Sequence, residues 1–474
     1  MSVNHKWGPL LTLTLLAISF VVHAQTQTQP GLPKAANMFS WSEAEKVQGF
    51  SHTGAIFPTE SFTHGPAVLP LPPASPDVMA RAAQLHYQYG IDANGAAHNR
   101  NSVDDFMQHN QVTGLLILKD GAVVLERYAR GVDSHTLWDS KSVGKSVVST
   151  LMGVAVEQGF IRSLDDPVEK YIPELKHSAY QGVSLKNMLQ MSSGVAWQED
   201  ELESDSDIKK LLACSIKKNS PRCMLDLMRH LKRAVDPATK KPVAPGVLWN
   251  YSSGEAYLSG LVVQRATKQT LGQYLQQTIW QNDGMEADGK WIARDGVSMG
   301  AGGFNATLRD YGRFGLFVMN NGVLADGRKL LPENWVRDAT RWTAASATPG
   351  SSDNGQYGYM WWFSAGSDNG LKPDPLYVNI GAPLQNADAK SKSLHGSELI
   401  QGQAASVSDW TFSALGIYGQ MIAINQAEHL VVVQWSVWDK PDPVCCDKSN
   451  IEYDARDPYT EQAVFVNAVI RALH

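Results

Sequence analysis

A serine and a lysine three residues apart at the start of a helix can form a covalent catalyst. The hydroxyl attacks a carbonyl, and the amine takes its proton if it can exist uncharged. Ser142-Val143-Gly144-Lys145 has this spacing, and the chain also contains Ser206-Asp-Ile-Lys209 and Ser215-Ile-Lys-Lys218. Context separates the three. The latter two lie in charged, loop-like sequence, whereas Ser142 opens a long apolar run, Val143 to Val156, that ends at Gln158-Gly159. This predicts a buried helix with a glycine stop, Lys145 one turn from Ser142 on the same face, and the positive helix end beside the serine. A lysine base must have its pKa of ~10.4 lowered by about three units, roughly 4 kcal/mol, and burial beside residues such as Val148 supplies that.

Two further stretches could complete such a site. Tyr251, in Trp249-Asn-Tyr-Ser-Ser-Gly254 after Pro245-Gly246, offers a phenol able to relay a proton to a leaving group. Leu415-Gly-Ile-Tyr-Gly-Gln420 leads into a strand whose glycines let backbone approach a substrate. The N–H of Gln420, with that of Ser142, is the candidate oxyanion hole. A rival is Gly296-Val-Ser298-Met-Gly300, which matches a nucleophile elbow. It lacks the apolar strand before it and the helix immediately after it that an elbow requires.

The elements that must position these groups are legible in part. Val112–Leu118 and Ala122–Tyr128 are β-rich runs joined through Asp120-Gly121, a hairpin signal. A helical pattern covers Ser102–Gln111. Strand composition returns in Trp410–Ser413, Gly416–Asn425 and Leu430–Ser436, and Thr460–Leu473 reads as a closing helix. Strands at both ends with helices between predict an α/β (α+β) fold. One antiparallel sheet is built from both termini and flanked by helices, with a mostly helical domain inserted. The expected divisions are a leader over 1–24, an extended Pro-rich arm over 25–76, the sheet domain over 77–160 and 355–474, and the helical insertion over 161–354.

The chain of 474 residues is 43% hydrophobic and 19% charged, a globular balance, and its net charge of -6 argues against nucleic acid as a partner. No zinc-finger spacing, P-loop or paired-His motif is present, so no metal or cofactor is expected. Trp7–Val22 is apolar and ends in Val22-His-Ala24, the layout of a cleaved secretory signal. An uncleaved anchor is the alternative, although the run is short of the ~20 residues that span comfortably. The expected product starts near Gln25, has no membrane span, and is periplasmic or secreted. Four cysteines fit that compartment. A Cys214–Cys223 pair closes a short loop, while Cys445 and Cys446 could be free, joined, or paired across the fold. The acidic stretch Glu199–Asp207 reads as a solvated loop, and His395-Gly-Ser397 as a surface loop.

Taken together, the Ser142, Tyr251 and Gly416 stretches resemble the motif set of serine β-lactamases and penicillin-binding proteins. They resemble 6-aminohexanoate-dimer hydrolase and related esterases of that superfamily more closely. The resemblance is carried by Trp138–Ser146, Met188–Trp197, Pro245–Gly260, Gly302–Phe314 and Tyr357–Trp362, in matching order along roughly residues 100–470. It implies a β-lactamase/transpeptidase-like fold and a serine hydrolase cleaving a small ester or amide. Ser142, Lys145 and Tyr251 would be catalytic, and Asn305, Tyr418, Gly419, Ser253 and Trp197 would contact substrate. Asn305 looks like the residue that assists amide cleavage in the dimer hydrolase. Two departures stand out: Ser253 replaces the usual Asn, and Ile417-Tyr418 replaces Lys-Thr, removing the cation that would meet a β-lactam carboxylate. A D-Ala-D-Ala peptidase or weak β-lactamase, and a non-catalytic sensor, are the alternative functions on the same fold.

Overall fold

The computed structural model describes residues 31–87, 89, 100–340, 357–363, 411–442 and 458–474. The leader, His395-Gly-Ser397 and the Cys445-Cys446 pair lie outside the described residues. Strands run in chain order β1 (Thr59–Phe62), β2 (Val112–Lys119), β3 (Ala122–Tyr128), β4 (Trp138–Asp139), β5 (Gly289–Arg294) and β6 (Val297–Ser298). They continue with β7 (Phe304–Ala306), β8 (Trp362–Phe363), β9 (Thr411–Gly416), β10 (Gln420–Asn425) and β11 (Leu430–Ser436). The helices that matter for the site are α1 (Glu43–Ser51), α2 (Val103–His109), α3 (Val143–Glu157), α4 (Asp207–Ser215), α5 (Ser220–His230), α6 (Ser253–Thr267), α7 (Leu308–Met319) and α8 (Pro458–Leu473).

Six strands form an antiparallel sheet in the order β3-β2-β11-β10-β9-β8. Asp120 and Gly121 both take positive φ at the β2–β3 turn, 52° and 76°, as a two-residue hairpin requires. The sheet is covered on both faces, which is why β2 and β11 read as continuous apolar runs. Leu116 and Leu118 face the core shared with α3 and α7, while Leu115 and Ile117 face the one shared with α2 and α8. Sheet, flanking helices and the strands from both chain ends are as the sequence predicts, with mixed helices and antiparallel sheets throughout.

Three expectations need correction. The segment expected to be an extended arm holds α1, which a Ser42–Glu45 capping box starts, and β1, which pairs with β5. Its early composition conceals Trp41, Phe50, Phe57 and Phe62, all buried. The insertion is not only helical: it supplies β5, β6 and β7 to a second sheet, and α7 belongs with the six-stranded sheet. Gly416–Asn425 is not one strand, because Ile417–Gly419 breaks it, with φ of 63° at Tyr418 and 85° at Gly419.

Helices α3 and α6 pack against each other. Positions 143–155 of α3 are all buried, as are most of α6. Cys214 of α4 and Cys223 of α5 are joined at an S–S distance of 2.02 Å. Among the described residues no helix is long and apolar enough to cross a membrane.

Candidate active site

The turn that presents Ser142 is fixed from both sides. The Ser140 N–H donates to the Phe304 carbonyl at 2.8 Å, and Val143, Gly144 and Lys145 N–H groups donate back to Ser140, Lys141 and Ser142 carbonyls. Lys141 sits at φ 47°, an unusual conformation for a side-chain-bearing residue that a functional turn can hold. Its ammonium is buried against Asp139 at 2.7 Å and lies 3.9 Å from the Phe50 ring centre.

Lys145 is 1% exposed, and its Nζ donates to Ser142 Oγ at 2.7 Å and to the Ala301 carbonyl at 3.0 Å. Burial lowers its pKa to about 8, against the opposing pull of Glu199 and Glu201. About a tenth of the amine is therefore neutral at pH 7, far more than a surface lysine would offer.

Tyr251 lies two residues ahead of α6. Asn250 N–H donates to the Met191 carbonyl at 2.9 Å, and Ser252 caps α6 by accepting from Glu255 N–H. The Tyr251 phenol is placed beside Ser142, and its ring centre is 5.0 Å from Lys145 Nζ. Trp362 stacks on that ring at 5.8 Å and Tyr357 meets it edge-on at 5.9 Å. Burial first, then Glu199, pushes the phenol well above its ordinary pKa. The phenol therefore keeps its proton at neutral pH, and Lys145 is the group of the pair that can give its proton up there. Tyr251→Phe is expected to lower kcat/KM about a hundredfold, at the lower end of what a positioned proton donor contributes. Steady-state kinetics on an aryl ester, with the melting temperature as a folding control, checks this.

The other sequence candidates are engaged with protein groups. Gln420 lies across β10 from Gly416 in register. Its carboxamide is occupied by Trp138, Ser436, Ile417 and Tyr418. The backbone that reaches the nucleophile is that of Gly416 on β9. A Cβ there would stand 2.9 Å from the Ser142 nitrogen and 2.8 Å from the Ser140 carbonyl oxygen. Gly416→Ala is thus expected to shift the nucleophile's turn by a few tenths of an ångström and to cost about tenfold in kcat/KM with folding intact.

Tyr418 and Gly419 also make contacts within the protein. The Tyr418 hydroxyl donates to the Met38 carbonyl, and its ring lies 5.6 Å from Phe50 and 5.0 Å from Lys46 Nζ. The Gly419 carbonyl accepts from Gln434 and Gln462 side chains. Asn305 is buried on β7 and donates to the Gly303 carbonyl at 2.9 Å. Ser253 and Trp197 are committed to Glu199: the Ser253 N–H donates to it at 2.9 Å, and the Ser253 hydroxyl and Trp197 indole N–H donate to it as well. Each of these groups turns toward the protein because a buried polar atom needs a partner.

The acidic stretch expected to be solvated is divided. Glu199 is half-buried and Glu201 buried, both near enough for their fields to act on Lys145, while Leu202, Glu203, Ser204 and Asp205 are exposed. Ser298 of the rival elbow is fully buried on β6, donating to Glu60 and accepting from Leu271 N–H at 2.9 Å. Ser206 and Ser215 sit on α4 rather than in loops, Ser206 at its N-cap.

Ala301, Glu199 and Glu201 stand close to the cluster without having been picked out by motif reading. One signal did exist for Ala301, the cluster Gly300-Ala-Gly-Gly303. A Cβ at Gly302 would lie 2.7 Å from the Lys141 carbonyl oxygen, so this loop can press against the nucleophile's turn only without a side chain.

A model of the Beta-lactamase family matches residues 99–450. The chain belongs to the Beta-lactamase family. Its members are serine hydrolases of one fold, and the Ser142–Lys145–Tyr251 cluster lies inside the matched region. A 6-aminohexanoate-dimer hydrolase of Paenarthrobacter ureafaciens is 22% identical over 417 residues, covering 85% of this chain and 88% of that one. A β-lactamase of Pseudomonas fluorescens is 23% identical over 188 residues, 38% of this chain and 46% of its own length. Among solved structures, one described as a 6-aminohexanoate-dimer hydrolase from Bacillus anthracis superposes with TM-score 0.64 at 18% identity, covering 89% and 94% of the two chains. A second, described as a β-lactamase from Bacteroides dorei, gives 0.50 at 19% identity, covering 77% and 96%.

Proposed function

We propose that this family member is an exported hydrolase that cleaves a small ester or amide through an acyl-enzyme on Ser142. The observation that carries the reading is the buried Lys145 amine 2.7 Å from the Ser142 hydroxyl, with its pKa brought down to about 8. Ser142 Oγ attacks the carbonyl carbon while its proton passes to Lys145 Nζ. The oxyanion is met by the Ser142 N–H and the β9 backbone beside Gly416, at the positive end of α3. The bond to the leaving alkoxide or amine then breaks. Tyr251 gives that group its proton and regains one from Lys145. Water attacks the acyl ester, and Ser142 is restored.

The charges favour this over peptidase or β-lactamase work. The fields of Glu199 and Glu201 act on Lys145, and together with Asp442 they act on Tyr251. Ile417-Tyr418 stands where the family's substrate-facing cation would be, which leaves a substrate carboxylate without its usual counter-charge. Export rests on the apolar run Trp7–Val22 and the Val22-His-Ala24 end.

The test is intact-mass analysis of the full chain after reaction with a fluorophosphonate and with a panel of aryl esters, small amides, a D-Ala-D-Ala peptide and a chromogenic cephalosporin. The expected result is one adduct on Ser142 and turnover of esters or amides well above that of the cephalosporin. An unmodified Ser142 would support the sensor reading, and dominant cephalosporin or peptide turnover would move the assignment to those classes.

A further inference from the structure

The residue just before the nucleophile is gripped by one carboxylate at both its ends. Asp139 accepts from the Lys141 N–H at 3.2 Å and from its ammonium at 2.7 Å. Asp139 is itself fixed on β4, in register with Asn305 of β7. An ammonium carries three donors, and two further groups meet this one. They are the Met38 sulfur at 3.5 Å and the face of Phe50, whose ring centre is 3.9 Å away. Lys141 and Asp139 are both buried. Burial presses the amine toward its neutral form, and Asp139 opposes that. Met38 and Phe50 stand far ahead of the nucleophile in the chain. Phe50 lies on α1, which Lys46 ties to the end of β11 by donating to the Trp438 and Asp439 carbonyls. The same segment reaches the break between β9 and β10. There the Tyr418 hydroxyl donates to the Met38 carbonyl at 3.3 Å, and its ring centre is 5.6 Å from that of Phe50. Lys141 also borders β9: a Cβ at Gly416 would lie 3.1 Å from its own.

We propose that Lys141 is a positioning residue of the reaction, held by Asp139 and Phe50 so that the Ser142 turn stays against β9. The inference rests on the acyl-transfer reading. A side-chain-bearing residue at φ 47° keeps that conformation only where its surroundings over-determine it. Lys141 and Ser142 share a peptide, so the conformation of the first sets where the nitrogen and hydroxyl of the second stand. Gly302 backs the Lys141 carbonyl. The side chain supplies the opposing hold, through the ion pair with Asp139 and the attraction of an aromatic face for a cation. Ser142 Oγ must be within reach of Lys145 and of the substrate carbonyl at once, and a small displacement of the turn degrades both. Lys141 and Phe50 touch no reacting atom in this scheme. They act through the position of Ser142.

Lys141→Met keeps the length of the side chain and the same demand on φ, and removes the ammonium. With Phe50→Leu and the double variant it forms a cycle. The cycle is read by fluorophosphonate labelling of Ser142, by steady-state kinetics on an aryl ester and by thermal melts of the full chain. Lys141→Met is expected to label about tenfold more slowly and to lose the same factor in kcat with KM unchanged, the size that a sub-ångström displacement of the turn produces. Phe50→Leu should slow labelling about threefold, in keeping with the loss of one cation–π contact. It should add nothing once residue 141 carries no charge, because its effect passes through the ammonium. A folded Lys141→Met with the wild-type labelling rate and kcat overturns the inference. Phe50→Leu that slows both backgrounds by the same factor overturns the part given to Phe50, since simple packing would do that. If Lys141→Met gives no cooperative melt, Phe50→Leu decides alone: a fall in kcat at constant KM supports the inference, and a wild-type kcat overturns it. Wild type that takes no label refutes the acyl-transfer reading itself, a result distinct from an unchanged rate in a labelled variant.

Discussion

Ser142→Ala is expected to give no covalent adduct with any ester, amide or fluorophosphonate and to lower kcat by about a million-fold, the scale seen when a covalent nucleophile is removed. The size of the effect follows from the cluster acting as a unit. Without the hydroxyl, Lys145 and Tyr251 have no proton to move, and the backbone donors near Gly416 can only polarise a carbonyl that nothing attacks. The fold should be unaffected, since Ser142 makes no side-chain cap to α3 and the turn is held by backbone bonds to Ser140, Lys141 and Phe304. Intact-mass spectrometry and the thermal melt together check this. An adduct that persists in the alanine variant would place the nucleophile elsewhere.

Lys145→Met should be the next most damaging change, costing about 10³- to 10⁴-fold in acylation, toward the upper end for a general base. Its more telling signature is in the pH profile. In wild type the base form is the neutral amine, so acylation rises as pH increases through about 8, where Lys145 deprotonates, and levels off above. The residual activity of the methionine variant should lack that rise. Its stability should move the other way. A methionine of similar length fills the site without bringing a charge into it, so the melting temperature should equal or exceed that of wild type. Rate against pH and a thermal melt on the same preparation separate this from misfolding. A variant with the wild-type rise intact would show that some other group accepts the serine proton.

These expectations depend on residues whose part was unevenly legible. The spacing of Ser142 and Lys145 at the head of an apolar helix pointed to a buried amine, because burial of one face follows from periodicity, and the structure has it at 1% exposure. The hairpin at Asp120-Gly121 and the paired strands β10 and β11 were legible for the same local reason. The early segment was not. Its prolines and polar residues masked four aromatic anchors, and a strand such as β1 is recognisable only beside its partner β5. Glu199 and Glu201 carry no local sign of burial, since a run of acids is ordinarily solvated.

What the sequence determined by itself is the chemistry of the pieces: a serine and lysine one helical turn apart, a tyrosine ahead of a second helix, and the order of strands and helices that makes this fold. Tertiary structure decided which pieces meet. It brought Tyr251 to Ser142 across more than a hundred residues, set the Gly416 backbone against that of Ser142, and turned Tyr418, Ser253 and Trp197 toward protein partners. The physical reason is that local spacing fixes direction along one element. Distance between elements, and the protonation that depends on it, is set only when helices α3 and α6 and strand β9 pack into one water-poor cleft.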